Sequence, residues 1–453
     1  MRGLLHPNPP PVSFVDAEWS GEEFAALVRG AARELSERGV AEGDHVAVES
    51  DGVDVLAWFL GADLLGAAAL VVEPSWAQRE RAAVLSDAAP RTTVHGSPAP
   101  STEPVLPAGD ERTRFYLPTT SGSSGRPRVL ARDRRSWLES FHAFSIGLDA
   151  ADRVLVPATL SSSLFLFAAL HALHEGRPLH LLKRWSAAEA AERCTRDTVV
   201  HVVPAMLSAL LSVWEHDEDL RRRCALRAVV SGGARVDAAL AARLRRVLPG
   251  CRLVEYYGSA ETSLVAIDHD RAGMLPVVEV EVHDARGDPL PAGEPGQLRV
   301  RSDLVFDGHL EGGELRPREP GWVGVGDVAT LQHDGTLVVR GRSSSTISSG
   351  GELVAAEEVE AALREAPEVL DVVVAGTPHE RLGEIVTAVL EVGSERPPLS
   401  ALRATARQAL DPAKRPRRWL VTARIPRTAS GKPARATVAR QLREAALDAE
   451  VLA

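Results

Sequence analysis

Lysine is almost missing from this chain. Of 52 Lys and Arg residues only Lys183, Lys414 and Lys432 are lysines, so the default cation is arginine and each lysine that is kept carries weight. Cysteine is scarce too. Cys194, Cys224 and Cys251 are odd in number and lack metal-ligand spacing, so they read as buried thiols of a reducing cytosol. Long apolar runs are lacking. The most apolar stretch, 55–72, has Asp63 at its centre, where a charge costs roughly 2.5–3.5 kcal/mol of membrane insertion, and Gly61 and Gly66 divide it into helix then strand. The first residues, 1–14, hold prolines, His6 and Asn8 where a signal peptide needs an apolar run. The expectation is a cytoplasmic protein with no integral membrane segment. Positive charge is not in excess either: the formal net charge is -10, which argues against a nucleic-acid partner held by bulk charge.

What is present is an ordinary globular composition, 45% apolar and 25% charged over 453 residues, enough for two or three domains with sizeable cores. Helical periodicity places Phe24, Leu27, Val28, Ala31 and Leu35 on one face of a helix over 22–38. Short apolar strands then alternate with helices: strand 45–49, helix 55–65, strand 67–72, strand 154–157, helix 164–174, strand 178–182, helix 186–193, strand 199–203, helix 206–214, strand 226–231, helix 237–247 and strand 251–256. That alternation predicts parallel, doubly wound sheets in an α/β domain. From Val277 the strands are short and separated by Gly/Pro turns (278–283, 296–301, 335–339), which predicts a small antiparallel, β-barrel-like subdomain over 275–342. The Ser/Gly-rich stretch 342–351 reads as a linker. Beyond it, helix 355–364, strands 369–375 and 384–391, helix 399–410 and strand 418–425 make a compact α+β unit. The expected domains are a large one, 1–342, and a small one, 343–453.

The strongest local motif runs from Tyr116 to Arg128. Thr119, Thr120, Ser121, Ser123 and Ser124 surround Gly122 and Gly125, and Arg126 and Arg128 follow. Small residues let backbone N–H groups approach an anion, hydroxyls add donors and arginines add charge, which suits phosphate. The loop lacks the Gly-Lys-Ser/Thr ending of a Walker loop and the Gly-x-Ser-x-Gly spacing of a nucleophile elbow.

This loop resembles the Thr-Ser-Gly-Thr-Thr-Gly-x-Pro-Lys signature of the adenylate-forming enzymes, which comprise acyl-CoA synthetases, peptide-synthetase adenylation domains and luciferases. Further matches follow in that family's order: Ser231-Gly-Gly-Ala234, Tyr256-Tyr-Gly-Ser-Ala-Glu-Thr262, Gly326-Asp327, Gly341-Arg342, Ser349-Gly-Gly-Glu352 with Glu357-Glu-Val-Glu360, and Pro426-Arg-Thr-Ala-Ser-Gly-Lys-Pro-Ala-Arg435. The resemblance covers about residues 20 to 440 and implies a large AMP-binding domain with a small mobile domain carrying a catalytic lysine. It implies that Thr120, Ser121, Gly122, Ser123, Ser124, Gly125 and Arg128 hold the ATP phosphates. Gly232, Gly233 and Ala234 would flank the adenine, with Tyr257 stacked on it and Gly258 and Ser259 in the same motif. Asp327 would accept both ribose hydroxyls, Arg342 at the start of the hinge would be a further cofactor-binding residue, Glu261 would bind Mg²⁺, and Ser344 would be the hinge. Lys432 would bridge the substrate carboxylate and the α-phosphate, a task that suits a compact ammonium better than a planar guanidinium.

The chain departs from that pattern at Arg128 (usually Lys), Ala260 (usually Thr, with Ser259 or Thr262 as substitutes for the lost hydroxyl), Ser344 and Ser345 (commonly acidic) and Ser162 (commonly aromatic or His). The acyl pocket would be lined by Ser162, Phe165, Val202, Gly232, Ser259 and Val265, a small and mostly apolar set that favours a fatty or aromatic acid over an amino acid. The resemblance points to an ATP-dependent carboxylic acid–CoA ligase using ATP, Mg²⁺ and coenzyme A. Two alternatives stay open. One is an adenylating ligase that loads an acyl carrier protein (on phosphopantetheine) or an amine, with Arg415, Arg417 and Arg418 as a docking patch. The other is a nucleotide-binding homologue with little turnover.

Overall fold

The computed structural model describes all residues except 1–3, 77, 121–127, 145, 148–151, 196, 343–345, 350–351, 380–382, 429–430 and 453, and only the backbone of 342, 346, 348–349, 352–353, 383 and 413. The chain divides into two compact units, residues 1–279 with 301–323, and residues 280–300 with 324–453.

In the first unit two sheets carry the alternation read from the sequence. One has the order Leu275–Pro276, Ser263–His269, Arg252–Ser259, Leu226–Ser231, Thr198–Val202, Arg153–Val156, Leu179–Leu181, Val12–Phe14, Ala17–Trp19, and is parallel from Arg252–Ser259 through Val12–Phe14. The other has the order Glu314–Pro317, Gly308–Glu311, Arg128–Asp133, Arg114–Tyr116, Ala68–Val71, His45–Glu49, Thr92–His95. One apolar core contains residues of both sheets and of helices Gly21–Glu37, Gly52–Leu64, Arg134–Ala143 and Ser163–His174. Helices Gly52–Leu64 and Ser163–His174 are apolar nearly all round because they are buried nearly all round. Helix Gly21–Glu37 shows one apolar face and starts at a capping box in which Ser20 and Glu23 satisfy each other's backbone donors. Asp63, the charge inside the longest apolar run, is buried and paired at 2.6 Å with Arg134 of the Arg134–Ala143 helix. Cys194 and Cys251 are buried free thiols as expected, while Cys224 is only half-buried.

In the second unit the antiparallel module over 279–342 is an open sheet, Glu279–His283, Pro295–Arg301, Asp327–Leu331, Leu337–Arg342, and does not close into a barrel. Strands Val369–His379 and Gly383–Val392 form a long antiparallel pair in a second sheet, against which helices Ala356–Leu363 and Leu399–Ala409 share a core. Among the described residues no helix is long and apolar enough to cross a membrane.

Candidate active site

The phosphate-type loop hangs from a hairpin. Thr119 pairs with Val129 and Thr120 with Arg128, so the loop leaves and re-enters the sheet at neighbouring points. Ser121, Gly122, Ser123, Ser124 and Gly125 lie outside the described residues, as does Ser344. Four residues past Arg128 on the same strand is Arg132, which is 1% exposed. Its guanidinium donates to the Ala260 carbonyl at 2.6 Å, to the Glu261 carbonyl at 3.4 Å and to the Leu304 carbonyl. Phe306 N–H donates to the same Glu261 carbonyl at 2.8 Å. The backbone of the acidic motif is thereby tied to the strand that leaves the phosphate loop.

The motif itself is a tight turn between strands Arg252–Ser259 and Ser263–His269. Ser259 pairs with Ser263, and a side chain at Gly258 would overlap the Ser263 carbonyl, which explains the glycine. Ser263 takes φ 55°, and its hydroxyl lies 2.8 Å from that of Ser140. The hydroxyls of Ser259 and Thr262 lie 2.9 Å apart, the Ser259 hydroxyl also accepts from Thr262 N–H, and Thr262 is buried. Thr262 is therefore spent on the turn and not placed to stand in for the hydroxyl that Ala260 lacks. The Glu261 side chain is half-buried. Among the described residues no cluster of three His, Cys, Asp or Glu could cage a metal. The single half-buried Glu261 carboxylate is a donor set of the kind Mg²⁺ takes, since that ion keeps waters and phosphate oxygens as its other ligands.

The adjacent tyrosines of the motif point to opposite faces of the sheet. Register places His201, Val230, Val254 and Tyr256 on one face, and Val202, Ser231, Glu255 and Tyr257 on the other. A side chain at Gly232 would overlap the ring of Tyr256, so this glycine makes room for Tyr256, where the sequence reading had it clear space for adenine. Gly233, at φ 82°, and Ala234 are exposed beyond the strand end. We expect Gly232→Ala to displace Tyr256 and cost about 1–3 kcal/mol, the usual price of overpacking. A second substitution, Tyr256→Ala, should recover part of that loss in a denaturant double-mutant cycle.

Of the other expected pocket residues, Ser162 is the N-cap of helix Ser163–His174, and Phe165 is fully buried in that helix. Val202 is buried on the face away from Tyr256. Val265 is the extra residue of a bulge, because Tyr257 pairs with Ala266 and Gly258 with Leu264.

In the second unit Asp327, buried at a strand start, is the register partner of Arg342. Lys432 is half-buried in a small hairpin: its carbonyl accepts from Thr428 N–H at 2.7 Å, and Arg427 bridges to Pro433. Both ends of the hairpin are held by ion pairs. Arg427 meets Asp371 at 2.9 Å and Glu391 at 3.0 Å. Arg435 meets Glu357 at 2.8 Å and Glu360 at 2.6 Å. The Glu357–Glu360 motif thus serves the lysine hairpin from helix Ala356–Leu363. Arg435→Ala should lower unfolding stability by about 2–3 kcal/mol, less than an isolated buried pair would lose, since Arg364 and Val374 N–H still hold Glu360. Chemical denaturation of the two proteins measures this.

The remaining lysines have structural partners: Lys183 pairs with Asp51, and Lys414 with Glu358 and Asp411. Arg415 donates to the carbonyls of Leu410 and Arg407 at a helix end, leaving only Arg417 and Arg418 exposed in the basic patch. Sequence reading passed over Arg132, Tyr256 and His309. His309 lies opposite Leu130 on the neighbouring strand, with its basicity lowered by burial and by Arg128. No spacing pattern marks these three.

A model of the AMP-binding enzyme family matches residues 96–310, and one of the AMP-binding enzyme C-terminal domain matches residues 358–432. The chain is 34% identical over 354 residues to YhfT, an uncharacterised acyl-CoA ligase of Bacillus subtilis, covering 75% of this chain and 71% of the relative. It is 25% identical over an alignment of 470 residues to the long-chain-fatty-acid–CoA ligase FadD13 of Mycobacterium tuberculosis, covering 92% of each. The fold is similar to that of o-succinylbenzoate CoA synthetase (MenE) from Bacillus subtilis in complex with its acyl-adenylate, with TM-score 0.83 at 22% identity over 95% of this chain and 96% of the other.

Proposed function

We infer that this chain, which belongs to the AMP-binding enzyme family, is an ATP-dependent carboxylic acid–CoA ligase that works through an acyl-adenylate and forms AMP and pyrophosphate. The observation that carries the reading is the Arg132 tie, which holds the Glu261 motif against the strand leaving the phosphate loop. A phosphate loop and an acidic turn serve Mg·ATP chemistry only if their relative position is set before the substrate arrives.

In the first half-reaction the acid's carboxylate oxygen attacks the α-phosphorus of ATP, a P–O bond forms, and the bond to the β-phosphate breaks to release pyrophosphate. Thr120 and Arg128 at the loop stem hold phosphate oxygens, and Arg128 replaces the usual lysine without loss of charge. Glu261 would hold Mg²⁺, which neutralises phosphate charge when bound. Lys432 offers its ammonium to the carboxylate and the α-phosphate as charge builds on phosphorus. Asp327 accepts ribose hydroxyls, and Tyr257 covers the adenine. In the second half-reaction a thiol attacks the acyl carbon and AMP leaves. Ser349-Gly-Gly-Glu352 is closer to the CoA ligases than to peptide-synthetase domains, which favours coenzyme A as the acceptor.

The test is pyrophosphate release from ATP with a panel of carboxylic acids, with and without Mg²⁺. Acid-dependent release that needs Mg²⁺ is expected, with acyl-CoA formed when coenzyme A is added. ATP binding with no release for any acid would overturn the ligase, and product formed on a phosphopantetheinylated carrier protein but not on coenzyme A would reassign the acceptor.

A further inference from the structure

Three polar-tipped rings converge on one phenyl ring in the first unit. The ring of Phe144 lies 5.4 Å from that of Tyr256 and 5.2 Å from that of His171, both edge-on, and 6.2 Å from that of His201. His201 and Tyr256 share one face of the sheet, near the carboxyl ends of their strands, and His171 comes from helix Ser163–His174. Ligands of parallel α/β sheets bind at those strand ends.

Three imidazole nitrogens there are not used. His201 is 1% exposed and His171 4%, yet both ring nitrogens of His201 and Nδ1 of His171 have no hydrogen-bond partner among the described residues. Burial raises the Tyr256 hydroxyl's pKa. Leaving such groups unpaired costs about 1–3 kcal/mol each, so a core built only for stability would carry Leu or Phe at these positions. Phe141, Phe144 and Phe167 pack here edge to face, with the buried His174 against Phe141 and Arg177 near His171.

The chemistry of the ligand follows. Burial pushes both imidazoles down to about 3, so they are neutral at physiological pH. A neutral imidazole offers one N–H and one lone pair and does not attract an anion. Its complement is a group that both donates and accepts, a hydroxyl, carried on a body that packs against aromatic rings.

We propose that His201, His171 and Tyr256 form the distal, hydroxyl-recognising end of the acyl site, and that the acid activated is an aromatic acid bearing a ring hydroxyl. This rests on the ligase reading above and narrows the fatty-or-aromatic expectation. His201 is the principal specificity residue, because both of its nitrogens are open.

The experiment compares benzoate with its three monohydroxy isomers, and octanoate with a hydroxyoctanoate, in pyrophosphate release and in calorimetric binding to the full chain. The wild type, His201→Leu and His201→Gln are each measured. One hydroxybenzoate isomer should exceed benzoate by at least about 10-fold in kcat/KM, the scale expected when a site built for a hydroxyl meets an analogue lacking it. His201→Leu should erase that preference, bringing kcat/KM for the favoured hydroxybenzoate down to that of benzoate on the same variant. It should melt no lower, since it removes an unpaired buried group; His201→Gln should restore part of the preference. Equal rates on all aromatic acids, a preference that survives His201→Leu, or a higher kcat/KM for octanoate would each overturn the proposal. If no acid releases pyrophosphate, calorimetry still decides: His201-dependent binding of the hydroxylated acid keeps the site and sinks only the ligase, and no binding sinks both.

Discussion

Lys432→Ala is expected to lower acid-dependent pyrophosphate release by about 10²–10³-fold, the loss that follows removal of one preorganised transition-state donor. The hairpin around Lys432 is held at both ends by other residues. Arg427 and Arg435 hold the two ends through Asp371, Glu391, Glu357 and Glu360, and the Lys432 carbonyl keeps its bond from Thr428 N–H whatever the side chain. The variant should therefore still fold, which its denaturation curve checks. Lys432→Arg should recover little, since a planar fork replaces a compact point charge. Thioester formation from acyl-adenylate supplied in advance should be spared, because the role proposed for the lysine is on the α-phosphate. Release within threefold of wild type would remove Lys432 from the chemistry.

Arg132→Met is expected to destabilise the chain by about 3–5 kcal/mol and to raise the Mg²⁺ concentration needed for half-maximal release. One guanidinium serves the carbonyls of Ala260, Glu261 and Leu304, and Met fills the volume while stranding those of Ala260 and Leu304 and leaving that of Glu261 to Phe306 N–H alone. Burial pushes the arginine down to about 10, so it remains charged at neutral pH. Asp307, pushed up to about 6 by burial and by Asp133, is held lower than it would otherwise be by Arg132. The variant should raise it further. A folded-state carboxyl pKa above its unfolded value means that stability falls as pH rises between the two. That fall, from about pH 4 to above 6, should be steeper and extend higher in the variant. Urea unfolding across this range with a Mg²⁺ titration provides the measurement. An Arg132→Met protein matching wild type in both would reduce Arg132 to a spectator.

Much of the frame was legible beforehand. Strands such as Ala68–Val71 are buried on both faces and read as unbroken apolar runs, and helices starting after Ser186 and Asp237 carry side-chain caps. Strands Arg128–Asp133 and Ser263–His269 were passed over. The first is interrupted by charge because Arg132 and Asp133 are buried against distant partners, and the second is a hairpin return whose turn holds the acidic motif. The antiparallel module was legible as strands, but its closure was not, since turn residues record where strands end and not whether the outer two meet.

The site divides in the same way. Local order along the chain carried the expectations for the Thr120–Arg128 loop, the Glu261 turn, Asp327 and Lys432, because each rests on a short run of particular small, acidic or basic residues in succession. Orientation and long-range pairing were left to the folded chain. Two adjacent tyrosines read alike until register turns Tyr256 towards Gly232 and Tyr257 to the other face. Arg132 reads as one more arginine in an arginine-rich chain until carbonyls 128 and 172 positions later close around it. Its burial depends on which strands become neighbours, and that is settled by packing between segments far apart in sequence, where no local spacing can register it.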